Sequence, residues 1–239
     1  MVISRRSLLL AGAAFPTAAY GQCVTDAPEE SRTNIVLNSN NFTAGGWGAP
    51  VAVTLTPGQA GAPDGTATFT RMTETTANSA HYLGQALAGL TASATYTLSV
   101  YARMEQIRYF QLSFRDTGSN GSHATFDLQT GSISGANTAD GTGVVGTASI
   151  QAISGGTYRC GITTGIGALT TGTLYLFCSN APNSGWAPSY VGNASNGLLI
   201  FGAQAELGAF QTSYIPTTSV PVTRPLGPAV MSPTQKCRR

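Results

Sequence analysis

Residues 95–116 read T-Y-T-L-S-V-Y-A-R-M-E-Q-I-R-Y-F-Q-L-S-F-R-D, and no other stretch limits the fold as strongly. Two runs in it alternate with a period of two. In the first, Tyr96, Leu98, Val100 and Ala102 fall on one side, and Thr97, Ser99, Tyr101 and Arg103 on the other. In the second, Phe110, Leu112 and Phe114 oppose Tyr109, Gln111, Ser113 and Arg115. A strand turns successive side chains to opposite faces, so each run is a half-buried strand. The connection, residues 104–108, is short, which predicts antiparallel neighbours in one sheet. On that expectation one face is continuous and apolar. The other gathers two tyrosines, two arginines, Gln111 and small hydroxyls into a functional surface.

Charged residues make up 9% of the 239 residues and apolar ones 42%. A solvated coil carries more charge and less apolar content, so the main body has a core to build. The length suits one large β-sandwich or two small domains, and no linker interrupts residues 33–216. Further strands are expected at 33–38, 51–56, 67–72, 81–90, 124–128, 147–153, 158–163, 174–178 and 198–203. Strong turn signals stand between them, among them Pro57-Gly58 and Pro63-Asp64-Gly65. Residues 40–50, 132–146 and 179–196, rich in Gly, Asn and Thr, read as loops. Many short strands with turns between them predict an all-β fold, a single jelly-roll β-sandwich over residues 33–216. A flexible lead-in (22–32) and a Pro-rich tail (217–239) flank it.

Residues 1–21 have the anatomy of a signal peptide. Arg5 and Arg6 precede a short apolar run, and Ala19 and Gly21 suit cleavage before Gln22. The run is too short to span a membrane. Ser4-Arg5-Arg6 followed by Leu8 and Leu9 resembles a twin-arginine export signal, with Leu8 and Leu10 departing from its usual residues. Cleavage would leave 10 basic against 10 acidic residues, and that neutral body has no basic stripe for nucleic acid. Export to the periplasm or outside the cell is expected.

Of the four cysteines, Cys160 and Cys178 flank a Gly/Thr-rich stretch; a symmetric hairpin would bring them together as a bridge, and two buried free thiols are the alternative. Cys23 and Cys237 stand near the termini, where a clamp is conceivable. With no C-x-x-C pair, zinc is not expected.

Residues 198–217, L-L-I-F-G-A-Q-A-E-L-G-A-F-Q-T-S-Y-I-P-T, resemble the closing signature of a jelly-roll domain common in phage structural proteins and related bacterial chains. That domain is similar to the carbohydrate-binding modules of xylanases and glucanases. Asn34-Ile35-Val36 with Phe42 and Trp47 resembles its opening, residues 62–67 its second turn, and residues 96–103 its central strand. Phe126-Asp127-Leu128 with Gly131, and Tyr158-Arg159-Cys160, follow in order. The resemblance implies a non-catalytic β-sandwich that binds glycans or builds a virion appendage.

Sugar recognition needs flat apolar faces for C–H stacking and planar polar groups for hydroxyls. Tyr101, Arg103, Tyr109, Gln111 and Arg115 supply both on the shared face predicted above, against the plainer reading of a solvated sheet face. Trp47 and Trp186, in Gly/Pro/Asn-rich loops, are stacking platforms or loop anchors folded onto the core. Glycoside hydrolysis requires paired carboxylates. Glu105 and Glu206 stand apart in sequence and read as turn or rim residues. His81 and His123 read as isolated surface or turn histidines, and the G-x-S-x-G elbow is absent. No cofactor is expected. A structural calcium would draw on Asp64, Asp127 or Glu206, although no D-x-D-x-D-G loop exists.

The chain is therefore expected to bind a polysaccharide or cell-surface glycan without catalysis. The alternative is a phage fibre or spike module, part of a virion, that self-associates into a homo-oligomer. A polysaccharide lyase or glycoside hydrolase with an unrecognised site is the lesser alternative.

Overall fold

The computed structural model describes residues 30–65, 69–183 and 185–226, apart from the side chains of 136 and 137. The expected signal peptide, Cys23, Cys237 and the end of the tail lie outside the described residues. Within them the chain forms strands and no helix. In order these are β1 Arg32–Asn34, β2 Val53–Gln59, β3 Phe69–Glu74, β4 Asn78–Ala88, β5 Thr95–Met104, β6 Tyr109–Asp116 and β7 Gly121–Asp127. There follow β8 Ser132–Asp140, β9 Val144–Ala152, β10 Thr157–Gly165, β11 Thr171–Ser179, β12 Ser189–Val191, β13 Gly197–Leu207 and β14 Val222–Arg224. No helix of the described residues is long and apolar enough to cross a membrane, which says nothing of a β-barrel.

Two six-stranded antiparallel sheets face each other. The back sheet runs β2-β3-β13-β5-β10-β9, and the front sheet β12-β4-β11-β6-β7-β8. The core lies between them. Leu98, Val100, Cys160, Ile162, Leu198 and Ile200 come from the back sheet. Leu83, Leu112, Phe110, Phe126, Leu174 and Leu176 come from the front. Each such side chain taken fully out of water contributes roughly 1.5–3 kcal/mol. The all-β sandwich predicted from strand periodicity is the observed architecture.

The pairing of the two central strands is different from the expectation. β5 lies between β13 and β10, and β6 between β11 and β7, in opposite sheets. Residues 105–108 form an arch that carries the chain from one sheet to the other. The amides of Gln106 and Ile107 both donate to the Gly197 carbonyl at 3.1 Å, and Ile107 turns into the core. An arch and a hairpin leave the same period in the sequence, but they orient it oppositely. In a hairpin the two apolar faces lie side by side; in an arch they face each other across the core. The polar faces of β5 and β6 therefore point to opposite sides of the molecule.

Further expectations change, and residues 179–196, expected as loop, hold β12. Residues 132–146, expected as loop, hold β8 and the start of β9. Both are sheet edges, and β9 is exposed along most of its length, so backbone pairing rather than burial holds it and no apolar alternation is needed. Cys160 and Cys178 lie on β10 and β11, in different sheets, as free thiols with no exposure, so the bridged hairpin does not form. Burial pushes both thiols above their usual range. Within the expected irregular tail, Val222–Arg224 pair with Arg32–Asn34 as a small ribbon.

The closing segment covers the outside of the back sheet. β13 shifts register between Phe201 and Gln204, where Gly202 adopts φ +62°, a left-handed conformation that favours glycine. Beyond the bulge, the Glu206 carboxylate accepts from Gln204 Nε2 (2.8 Å), the Thr212 amide (2.8 Å) and the Thr212 hydroxyl (2.7 Å). The Gln204 amide oxygen accepts from the Ile215 amide at 2.7 Å. Arg159 donates to the Thr212 carbonyl at 2.5 Å and to Ser99 Oγ at 2.9 Å. Residues 208–217 are thus tied down over β5, β10 and β13 through Glu206, Gln204 and Arg159.

Candidate functional site

The arch and the closing segment separate the residues expected to act together. Tyr101 and Arg103 belong to the back sheet's outer face. Tyr101 is only 9% exposed and packs in a second apolar cluster with Phe69, Leu199, Phe201 and Tyr214. Arg103 lies over the Phe69 ring at 4.7 Å and donates to the Ala60 carbonyl. Trp47 is a loop anchor: its indole N–H donates to the Asn38 carbonyl at 3.2 Å, and its ring sits 4.8 Å from Phe42 against the core. The shared Tyr101/Arg103/Tyr109/Gln111/Arg115 surface is therefore corrected to two groups on opposite sides of the sandwich.

The front sheet keeps the second group. Tyr109, Gln111, Ser113 and Arg115 all face outward on β6, because Phe110, Leu112 and Phe114 face the core. On neighbouring β11, Leu174, Leu176 and Cys178 fill the core, which turns Tyr175 and Phe177 outward beside them. Tyr82 on β4 pairs with Phe177. The result is an aromatic row. Tyr82 lies 5.5 Å from Tyr175 and 5.1 Å from Phe177, and Tyr175 and Phe177 are stacked at 5.7 Å. The Tyr175 ring also lies over Gly84, where a Cβ would come within 3.2 Å of it.

The segment between β11 and β12 brings Trp186 onto this row. Its ring meets Tyr175 edge-on at 5.8 Å and Phe177 at 6.2 Å. The Arg115 guanidinium stacks on its other side, 3.7 Å from the ring centroid. The same segment approaches Gly135 on β8, where a Cβ would come within 3.0 Å of the Pro182 carbonyl, so it lies across β6 and β7. That explains why Gln111 and Ser113 are fully buried on an outward-facing row. Tyr82, Tyr175, Arg115 and Trp186 remain half-exposed. Burial raises the Tyr82 phenol above its usual range, with Tyr175 adding to the effect, so it stays a neutral donor.

At the far end of β6, Tyr109 opens onto a polar cleft of about 280 Å³, shared with Glu74, Gln106, Arg108, Tyr190 and Asn193. Arg108 lies 5.1 Å over the Tyr109 ring and grips Asp127 with two bonds, 2.9 and 2.6 Å. That grip holds the Asp127 carboxyl below the usual carboxylate range. Glu74 accepts from the Tyr190 hydroxyl and, at 3.0 Å, from the Asn193 amide.

The remaining acid–base groups have structural partners. Glu105 pairs with Arg71 at 2.5 Å, and Glu206 holds the closing segment. The histidines are buried rather than surface residues. His81 stands between the carbonyls of Ala52 (2.8 Å) and Tyr190 (3.1 Å), and His123 pairs with Asp140 at 3.0 Å. Among the described residues, no three His, Cys, Asp or Glu side chains gather as a metal site. Tyr82, Tyr175 and Phe177 were missed as candidate site residues. The available signal was T-L-Y-L-F-C over residues 173–178, an apolar run without alternation, which marks a strand covered on both faces.

No family model and no curated protein matches the chain. Among solved structures it is similar to the enzymatically active domain of tailspike protein 4 of bacteriophage CBA120, with 15% identity, a TM-score of 0.44 and 73% of this chain covered. The match spans 21% of that tailspike chain, about a fifth of its length. It is also similar to the CBM22-1 xylan-binding domain of Paenibacillus barcinonensis Xyn10C, with 13% identity and a TM-score of 0.38, covering 75% of this chain and 94% of that one.

Proposed function

We infer that this chain is an exported, non-catalytic carbohydrate-binding module, and that the outer face of the front sheet is its binding face. The observation that carries this reading is the half-exposed row of Tyr82, Tyr175 and Trp186, with Arg115 stacked on the indole. Rings in a row present the flat apolar surfaces that sugar C–H groups pack on, and phenol and guanidinium groups donate to hydroxyls. The non-catalytic part is supported by the carboxylates. Asp127 is engaged by Arg108, Glu105 by Arg71 and Glu206 by Thr212, which leaves none of the three poised as half of a carboxylate pair.

Affinity electrophoresis through gels containing a panel of plant, bacterial and animal polysaccharides tests the reading. Retardation by at least one polymer is expected, without release of reducing sugar or unsaturated product. Tyr175→Ala should weaken it about tenfold, as expected for a lost stacking partner. Free migration on every polymer would reject the reading.

One observation favours a second reading, a self-associating virion module. The edge strand β9 leaves Val144 62% exposed and Val145 40% exposed beside an unpaired backbone edge. A mass from light scattering equal to two or three chains, lost on Val144→Lys, would support it.

A further inference from the structure

Among the described residues, one arginine on the front sheet's outer face has no acid paired with it. Carboxylates of that sheet are taken, Asp127 by Arg108 and Asp140 by His123. Asp116 follows Arg115 on β6 but turns the other way, and its carboxylate accepts from the Asn120 amide at 2.8 Å. Across the ladder, Arg115 stands opposite Thr173 on β11 and Gly121 on β7, neither of them acidic. Among the described residues, the Arg115 guanidinium forms no ion pair; its close contact is the Trp186 ring.

That contact fixes the position of the group. A guanidinium carbon 3.7 Å from the ring centroid puts the group over the indole, and its N–H bonds lie in its own plane. A carboxylate can then accept two of them side by side. Around the same point, Arg115 Nε, Ser113 Oγ and Trp186 Nε1 are buried and find no hydrogen-bond partner among the described residues. Each can donate. Ser113 Oγ, Trp186 Nε1 and Arg115 Nε are covered, so the donors open to a ligand are the terminal nitrogens of the partly exposed Arg115 guanidinium, and these suit an anion.

The geometry points to an acidic glycan. We propose that this face takes a polymer carrying hexuronate residues, with the carboxylate on Arg115 and a pyranose face on Tyr175 and Tyr82. The proposal rests on the carbohydrate-binding reading above and narrows it from sugars in general to acidic ones. The body of the chain has balanced charge once residues 1–21 are set aside, so no long-range field contributes. The preference should come from one local contact and weaken as salt is added.

The test compares each of polygalacturonate, alginate and hyaluronan with its own carboxyl-reduced form, in which every carboxylate becomes a hydroxymethyl group. Dissociation constants are measured by affinity electrophoresis for the parent protein, Arg115→Gln and Arg115→Lys. The parent should prefer at least one acidic polymer over its reduced form by about tenfold, the value of one charge-assisted contact. That ratio should fall close to one in Arg115→Gln and to an intermediate value in Arg115→Lys, which keeps the charge but not the planar fork. Matched melting curves for the three proteins exclude a folding effect. Equal binding of acidic and reduced forms would overturn the proposal and leave the carbohydrate reading intact, as would an acidic preference that survives Arg115→Gln. Binding to none of the six polymers would overturn the proposal, and the electrophoresis panel then decides the broader reading.

Discussion

The guanidinium of Arg115 and the indole of Trp186 are stacked 3.7 Å apart, and the two residues are brought together from a strand and a loop. The pair makes the front sheet's outer face both aromatic and cationic. Trp186→Ala removes the lid of that stack and the edge contacts to Tyr175 and Phe177. Glycan affinity should fall about tenfold, near 1.4 kcal/mol, from the lost ring surface and cation–π contact. The indole also packs on Tyr175, Phe177 and Arg115, so the melting temperature should fall as well, and affinity is measured on the folded fraction. Unaltered affinity for a polymer that the parent binds would remove Trp186 from the site.

Tyr101 makes the opposite case. Its ring packs against Phe201 at 5.8 Å and Tyr214 at 6.1 Å, and Arg159 lies over it at 5.3 Å. It is covered by the chain's own closing segment, on the sheet that faces away from the aromatic row. Tyr101→Ala should therefore cost about 2–4 kcal/mol of stability through the cavity it leaves. A shift of the urea midpoint is the readout, and glycan affinity of the folded fraction should be unchanged. A binding loss at parental stability would contradict this assignment.

The contrast between these two residues shows what period and composition can carry. Alternation in residues 95–116 identified two strands and the inward set of each, since burial on one face imposes a period of two. It could not identify the arch, because the direction in which a short connection turns leaves no mark on the period. The fate of each polar face followed from that connection. Tyr109 and Arg115 stayed on the front sheet, while Tyr101 and Arg103 went to the outer face of the back sheet, where Tyr101 is covered. The aromatic row escaped for a related reason: Tyr175 and Phe177 sit in an unbroken apolar run and look like core. β8 and the start of β9 escaped because edge strands held by backbone pairing need no apolar face.

Glu206 lies in the part of the closing signature with the clearest physical rationale. Its carboxylate is fully buried and takes three donors, two of them from Thr212. Glu206→Ala would leave the Thr212 amide unpaired under residues 208–217 and leave Gln204 Nε2 with only its longer bond to the Ser213 carbonyl, at 3.4 Å. The expected loss is on the order of 2–4 kcal/mol, the range for stranding buried donors of a charged acceptor. Limited proteolysis should also cut within residues 208–217, which the parent protects. Parental stability together with parental protection would show that the clamp is dispensable.

Asp127 gives the fold a defined response to acid. Its bonds to Arg108, the largest cause, hold the folded-state pKa below that of an unfolded aspartate, about 3.9. A carboxyl depressed on folding adds stability that is fully present above the unfolded value and is lost as pH falls through the folded one. Asp127→Asn keeps an oxygen for the Gln129 and Thr130 amides, which the carboxylate accepts at 2.9 and 3.3 Å, but removes the charge. Urea unfolding at a series of pH values should show a constant deficit for the variant from pH 7 down to about 5, narrowing below about 4 as the parent's aspartate is protonated. Arg108 is partly exposed, so the deficit should be modest and should shrink with added salt. Two stability curves that stay parallel down to pH 2 would mean that the pair does not tie the β6 end, and with it Tyr109 at the cleft, to the β7 turn.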